Sequence, residues 1–280
     1  MKKKIDYMKI LAFVFCIVMA IVWIAPLTQS LSTSLKSEKE IKMSGFSYFP
    51  KEITFDSYKD LFSTKSASTP ILKWFWNSLV TSTLFTVLVL IISSTSAFAY
   101  ARMKFKGRDL LFSILMATMV FPSVINLIPT YKIVAGMHLL NTKWALVLPG
   151  VSGAFNIFLI KQFMMGIPKE LDEAAKIDGA SWFQIYLRII VPLCAPVLIV
   201  VGMFAFTGSW NDFLWPTLVM SNVDKMTITP GMQILKGTYD VYPSHAMAGG
   251  IVSVIPTFVL FLFAQKYFIK GMQLQSAVKG

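Results

Sequence analysis

Few side chains in this 280-residue sequence are of a type that does chemistry, and their spacing narrows the choice further. His138 and His245 are the only histidines, and each stands alone in a predicted loop, so neither heads a proton relay or a metal set. Cys16 and Cys194 lie in or beside apolar stretches where a structural disulfide is not expected. The chain has no G-x-x-x-x-G-K-[ST] loop to cradle nucleotide phosphates, no H-E-x-x-H helix and no G-x-S-x-G elbow. Enzyme readings are therefore left without a constellation, and no metal or cofactor site is expected on this chain. Two groups of polar residues remain. One is the acid-led stretch ELDEAAKIDGASWFQIYLRIIVPL, Glu170 to Leu193; the other comprises Asn126, Asn156, Trp210, Asn211 and Asp212, set inside apolar runs.

The acid-led stretch encodes its own local structure. Pro168 is suited to opening a helix, where its missing N–H is an orphan donor in any case. Glu170, Asp172 and Glu173 fall in the first turn, on the favourable end of the helix dipole, and Asp172 with Lys176 forms an i,i+4 pair of the better orientation. Gly179 is where that helix should stop, in the left-handed conformation that glycine adopts cheaply. Ser181 with Gln184 three residues on makes a capping box for a second helix, expected to end at Pro192. Residues 168–192 thus read as two short helices about a glycine corner. Ala174 and Ala175, flanked by acids, leave room for another protein surface to approach closely.

The elements that must hold these residues are membrane spans. With 55% apolar and 14% charged residues and a mean hydropathy of +0.64, the chain carries far more apolar surface than a soluble domain buries. Apolar runs of about 20 residues, the length that crosses a bilayer, occur at Ile10–Leu31, Trp74–Tyr100, Leu110–Val134, Trp144–Phe163, Val197–Met220 and Gly249–Phe268. The fold class is all-α, a polytopic bundle of six spans forming one domain over residues 1–280. The first run follows Lys2, Lys3 and Lys4, but its length and the lack of an Ala-x-Ala site mark it as a retained helix rather than a signal peptide.

Orientation follows from the basic residues. Four lysines in positions 1–9 and four Lys or Arg in ARMKFKGRD (Ala101–Asp109) place both segments, and hence both termini and the 168–192 hairpin, on the cytoplasmic side. The net charge of +12 is matched by inner-leaflet anionic lipid and requires no nucleic acid. Residues 32–73 become an outer loop, in which FPKEITFDSYKDLF reads as a turn at Pro50 and an amphipathic helix capped near Asp56 that packs Tyr58, Leu61 and Phe62. This loop and Ser221–Ala248 are open both to an outside partner and to plain connection. Pro122, Pro129, Pro149, Pro216 and Pro256 interrupt spans, so the freed carbonyls should face protein or a water-lined cavity.

With these elements in place, Glu173-Ala174-Ala175, three residues, Gly179, nine residues, Ile189, one residue and Val191-Pro192 resembles the EAA loop of bacterial ABC importer membrane subunits, EAA-x3-G-x9-I-x-L-P. The departure is Val191 in place of Leu, a swap of similar volume. The wider stretch, together with NSLVTSTLFTVLVLIISSTSAFAYARMKFKGRDLL, SWNDFLWPTLV and the ending GMQLQSAVKG, is similar to the smaller membrane subunit of the maltose-permease type of carbohydrate importer. The resemblance implies a multi-pass protein of the bacterial inner membrane that imports a sugar or oligosaccharide. It implies three kinds of partner besides lipid: a second homologous permease in a heterodimer, two cytoplasmic ATPase subunits that hold ATP and Mg, and an extracytoplasmic solute-binding protein. It makes the hairpin a coupling helix, with Glu173 pairing an ATPase arginine and Ala174, Ala175, Asp178 and Gly179 shaping the dock. It sends the tail, residues 269–280, between the ATPase subunits through Gln275, Ser276, Lys279 and Gly280; the alternative is a frayed terminus.

Asn126, Asn156, Trp210, Asn211 and Asp212 are candidates for the substrate path, since sugars take amide and carboxylate partners and aromatic faces such as Trp215 and Phe213. The competing reading has Asn211 and Asp212 capping or bridging helices. At the level of the whole protein, the alternatives are an ion-coupled secondary transporter, which should show repeated halves and intramembrane ion ligands, and an ABC permease for another solute such as a glycerol phosphate.

Overall fold

The computed structural model describes residues 7–44, 47–63, 69–238 and 242–277, with the side chains of 44, 238 and 267 onward outside the description. Its regular elements in chain order are α1 (Tyr7–Ser34), α2 (Glu38–Ser44), α3 (Asp56–Phe62), α4 (Ile71–Arg102), α5 (Arg108–Ala117), α6 (Leu127–Gly136), α7 (Lys143–Val147), α8 (Ala154–Met165), α9 (Glu170–Ile177), α10 (Trp182–Ile185), α11 (Val191–Leu193), α12 (Ala195–Asn211), α13 (Leu214–Val219), α14 (Ile228–Thr238) and α15 (Pro243–Ala277). Among the described residues there is no strand. The all-α class expected from hydropathy is what the chain adopts.

The spans are less uniform than the apolar runs. α1, α4 and α15 are each long and apolar enough to cross a bilayer. The other three runs are broken: Arg108–Val120 meets Ser123–Gly136 at 96°, Lys143–Gly150 meets Ala154–Met165 at 51°, and Trp182–Leu193 meets Ala195–Asn211 at 79°. Six spans result only when each bent pair counts as one. The breaks have causes. Pro122 and Pro149 sit at the first two, where 3₁₀ turns replace the α-helix, and Cys194 leaves the helical region at the third. The fifth run, read as Val197–Met220, is also divided, because the backbone turns extended at Asp212 before α13 begins.

The chain divides into two compact units. The first comprises Met1–Ile71 and Gly231–Ile255. In it, the apolar side chains of α1 are exposed along the helix. The segment after α1 is held by polar contacts: Tyr58 OH meets Ser34 Oγ at 2.8 Å, and Ser57 Oγ donates to Ser244 Oγ at 2.6 Å. His245 Nε2 lies 3.2 Å from Asp60 Oδ2, and Glu38 accepts from the Ser244 N–H at 3.1 Å. The helix expected near Asp56 is α3, with Ser57 and Leu61 buried but Phe62 exposed. Asp56 is its first residue rather than its cap, and Phe55, at the cap position, makes no side-chain cap bond.

The second unit comprises Leu72–Pro230 and Pro256–Gly280. Its core is built from Val89, Ala97 and Phe98 of α4, Ile157, Ile160 and Met164 of α8, Ala175 of α9, Ile185 of α10, and Val197, Val201 and Ala205 of α12. α4 tolerates many hydroxyls because they bond back one turn. Thr81, Thr86 and Thr95 donate to the carbonyls four residues earlier, each at 2.7 Å, so these three are satisfied within the helix, whereas Ser93 Oγ is buried without a hydrogen-bond partner. At the other end, Trp74 Nε1 donates to Val223 O at 2.7 Å, and Asn77 Nδ2 to Asp224 O at 2.9 Å. These bonds tie the start of α4 to the loop before α14.

Candidate functional site

The hairpin at 170–193 forms as its residues dictate. Gly179 takes φ +81°, Ala180 N–H donates to Ala175 O at 2.9 Å and Gly179 N–H to Lys176 O at 3.0 Å. That is the Schellman pattern, and it closes α9 at Asp178. Ser181 and Gln184 form the expected capping box, the Ser181 N–H donating to Gln184 Oε1 at 2.7 Å. The second helix does not end at Pro192. A π-helical turn at Tyr186–Ile190 precedes it, and the helix runs on through Leu193. The widened turn accommodates a ring that has no N–H to offer. Tyr186 OH, on this turn, meets Ser94 Oγ of α4 at 2.6 Å.

Two residues of α9 play parts other than those expected. Asp172 does not pair with Lys176; it is buried against Arg102, the last residue of α4, with Arg102 Nε 3.3 Å from Asp172 Oδ2. Lys176 lies over the Trp182 ring, 3.5 Å from its centroid. Ala175 is buried in the core of its own chain, so close approach by another surface is available at Ala174, which is exposed, and not at Ala175. The outward face of the hairpin carries Glu173, Ala174, Asp178 and Gly179, together with Ile177 at 87% exposure and Phe183 at 68%. Ile177 and Phe183 were not singled out from sequence. A branched aliphatic at the last turn of a polar helix is the signal that could have found Ile177.

The second group of polar residues meets at a cavity of about 720 Å³. Ser123 and Asn126 reach it from the first break, Pro149, Gly150 and Asn156 from the second, and Ser209, Asp212 and Trp215 from the junction of α12 with α13. The interrupted spans thus set the side chains of Ser123, Asn126, Asn156, Ser209 and Asp212 around one cavity. Asn126, Asn156 and Asp212 line this one cavity, whereas Trp210 and Asn211 do not. Trp210 is 1% exposed, edge-on to Phe75 at 5.4 Å and stacked on Phe206 at 5.7 Å. Asn211 is exposed off the cavity wall. Asp212 also serves its helices, accepting from Trp215 N–H at 3.3 Å while Trp215 Nε1 donates to Ala145 O at 2.8 Å. Of the tail residues, Gln275 and Ser276 continue the α15 backbone without described side chains, and Lys279 and Gly280 lie outside the described residues.

A helical membrane protein with broken spans around a cavity that holds Asn126, Asn156 and Asp212, and a capped two-helix hairpin presenting acid and apolar side chains, is of the class of transport subunits. The particular family follows from comparison: residues 90–274 match the model of the binding-protein-dependent transport system inner membrane component, and the chain belongs to that family. It is therefore a multi-pass protein of the inner membrane. It is 32% identical to the arabinooligosaccharides transport system permease protein AraQ of Bacillus subtilis over 95% of this chain and 94% of that one. It is 32% identical to the galactooligosaccharides transport system permease protein GanQ of the same organism, over 91% and 90%. Among solved structures, a chain of a bacterial ABC transporter involved in the import of the acidic polysaccharide alginate superposes with a TM-score of 0.82 at 22% identity, covering 96% of this chain and 99% of that one. At that identity the likeness speaks for the fold.

Proposed function

We propose that this chain is one of two membrane subunits of an ATP-driven importer that carries a sugar or oligosaccharide into the cell. The observation that carries the reading is the hairpin, whose two helices are closed by a Schellman glycine and a capping box and whose outward face presents Glu173, Ala174, Ile177 and Phe183. A structured polar surface beside a membrane core, with apolar side chains left exposed on it, fits a dock for a soluble motor. The permeases for arabinooligosaccharides and galactooligosaccharides among its relatives support the substrate class. A complex with an alginate pentasaccharide-bound periplasmic protein, whose similar chain has a TM-score of 0.62, supports an extracytoplasmic binding-protein partner.

In this reading both termini and the hairpin are cytoplasmic, ATP and Mg belong to two partner ATPase subunits, and a homologous permease completes the heterodimer. Closure of the ATPase pair drags the docked hairpins, and the two permeases rock between inward-open and outward-open forms. The cavity lined by Asn126, Asn156 and Asp212 lies on the substrate path, and the tail from Gln275 to Gly280 reaches the ATPases. The test is to purify the wild-type and Glu173→Lys chains with their bound partners and measure carbohydrate-dependent ATP hydrolysis and uptake. Glu173→Lys is expected to insert in normal amount and to lose transport, because its side chain would place a cation against the ATPase arginine. Wild-type uptake by that variant, or uptake that follows membrane potential after ATP depletion, refutes the reading.

A further inference from the structure

We propose that Arg102 is the strut that transmits hairpin movement to the translocation cavity, with Asp172 as its anchor on the coupling helix; this rests on the function proposed above. Arg102 ends a 32-residue helix and is 1% exposed at its side chain, as Asp172 is 8% exposed. One guanidinium grips two points. Nε faces Asp172 Oδ2 at 3.3 Å on α9, and Nη2 donates to Ile167 O at 2.8 Å in the link from α8. The hairpin is thereby fastened to α4 at its entry and along its first helix.

The pair is poorly designed for stability alone. Arg102 Nε and Nη1 and Asp172 Oδ1 are buried without hydrogen-bond partners, so the desolvation of both charges is incompletely offset. A pair of that kind gains little over apolar side chains of the same size, but it dictates the orientation of α9 relative to α4, which apolar packing does not.

α4 then carries the position onward. Phe85 lies 17 residues before Arg102 on the same unbroken helix, about 26 Å at the rise of an α-helix. Phe85 lines the cavity and touches its wall closely: a Cβ added to Gly150 would stand 2.9 Å from the Phe85 ring. α12, which also lines the cavity, abuts α4 at Gly202, where an added Cβ would meet Leu90 at 3.4 Å and Thr86 at 3.6 Å. A displacement of α9 held by Arg102 is thus delivered along one continuous helix to the cavity wall, whereas a hairpin held to α4 by apolar packing alone would slip.

The experiment uses the full complex in vesicles. Wild type is measured first for sugar uptake per ATP hydrolysed; uptake independent of ATP would overturn the functional reading and with it this proposal. Given a coupled wild type, Asp172→Asn, Arg102→Lys and the reversed pair Arg102→Asp with Asp172→Arg are compared at matched amounts of assembled complex. Uptake per ATP is expected to fall about tenfold in Asp172→Asn and to recover, at least in part, in the reversed pair. Arg102→Lys retains the charge but loses the fork that reaches Ile167, and should be intermediate. If Asp172→Asn fails to assemble, the comparison of Arg102→Lys with the reversed pair decides. Coupling equal to wild type in Asp172→Asn, or a reversed pair no better coupled than the single variants, overturns the strut.

Discussion

Gly179 gives the sharpest test of the hairpin's construction. Its φ of +81° lies in the left-handed region, and a Cβ placed there meets nothing within 4 Å, so substitution is governed by backbone conformation alone. For alanine that conformation costs about 1–2 kcal/mol. The reduced freedom of the unfolded chain returns about 0.4–1 kcal/mol, which leaves a net loss of about 1 kcal/mol, or roughly fivefold in the population of the closed corner. The reporter is the Ala180 amide, which donates to Ala175 O at 2.9 Å only while the corner is closed. Hydrogen exchange at that amide should quicken about fivefold in Gly179→Ala and by less in Gly179→Asn, since asparagine tolerates the left-handed region. Gly107 has nearly the same geometry, φ +83° with nothing within 4 Å, but sits at the start of α5. Gly107→Ala should leave Ala180 untouched and serves as the control. Carbohydrate-stimulated ATP hydrolysis should follow the exchange ranking across the Gly179 variants. Unchanged exchange in Gly179→Ala, or asparagine more harmful than alanine, would show that the corner is not set by left-handed strain.

Other outcomes follow from the same structure. Ser181→Ala removes an acceptor from the Gln184 N–H, 3.3 Å away, and should weaken α10 by about 1 kcal/mol, read as faster exchange at Gln184. Asp212→Asn keeps an oxygen for the Trp215 N–H, so the complex should assemble normally while the sugar concentration for half-maximal uptake rises about tenfold; an unchanged value would assign Asp212 to capping alone. Gly150→Val brings branched bulk against Phe85, with the Cβ already at 2.9 Å, and should lower both assembly and uptake, whereas Gly136→Ala, with open space at its Cβ, should affect neither.

Much of the candidate site was legible because its determinants are local. The caps of the hairpin, Ser181 to Gln184 and Ala175 to Ala180, join residues three to five apart, and such bonds form wherever the intervening chain is helical or turned. The polar lining at Asn126, Asn156 and Asp212 was legible for a different reason, since strongly polar side chains inside apolar runs need protein or water around them. The EAA spacing carried the family from sequence alone, and the match over residues 90–274 agrees with it.

What local spacing does not hold is the choice among partners that only packing brings near. Asp172 had a cation four residues away and took one 70 positions earlier, because folding buries its side chain against the end of α4, where an unpaired carboxylate is costly and Arg102 is the buried cation at hand. Ala175 turned inward and Ala174 outward although they are neighbours of the same kind, since a helix puts successive residues on different faces and the core lies on one side only. Trp210 and Asn211 left the cavity for the same reason of facing, one into an aromatic stack and the other outward. Hydropathy registers an apolar run but not its direction, so the bends of 96° and 51° and the turn at Asp212 that surround the cavity became visible only in three dimensions. Sequence by itself determined the all-helical membrane class, the capped hairpin and its glycine corner. Tertiary structure decided which acid faces outward and which is clamped within, because that depends on burial, and burial is a property of the packed whole.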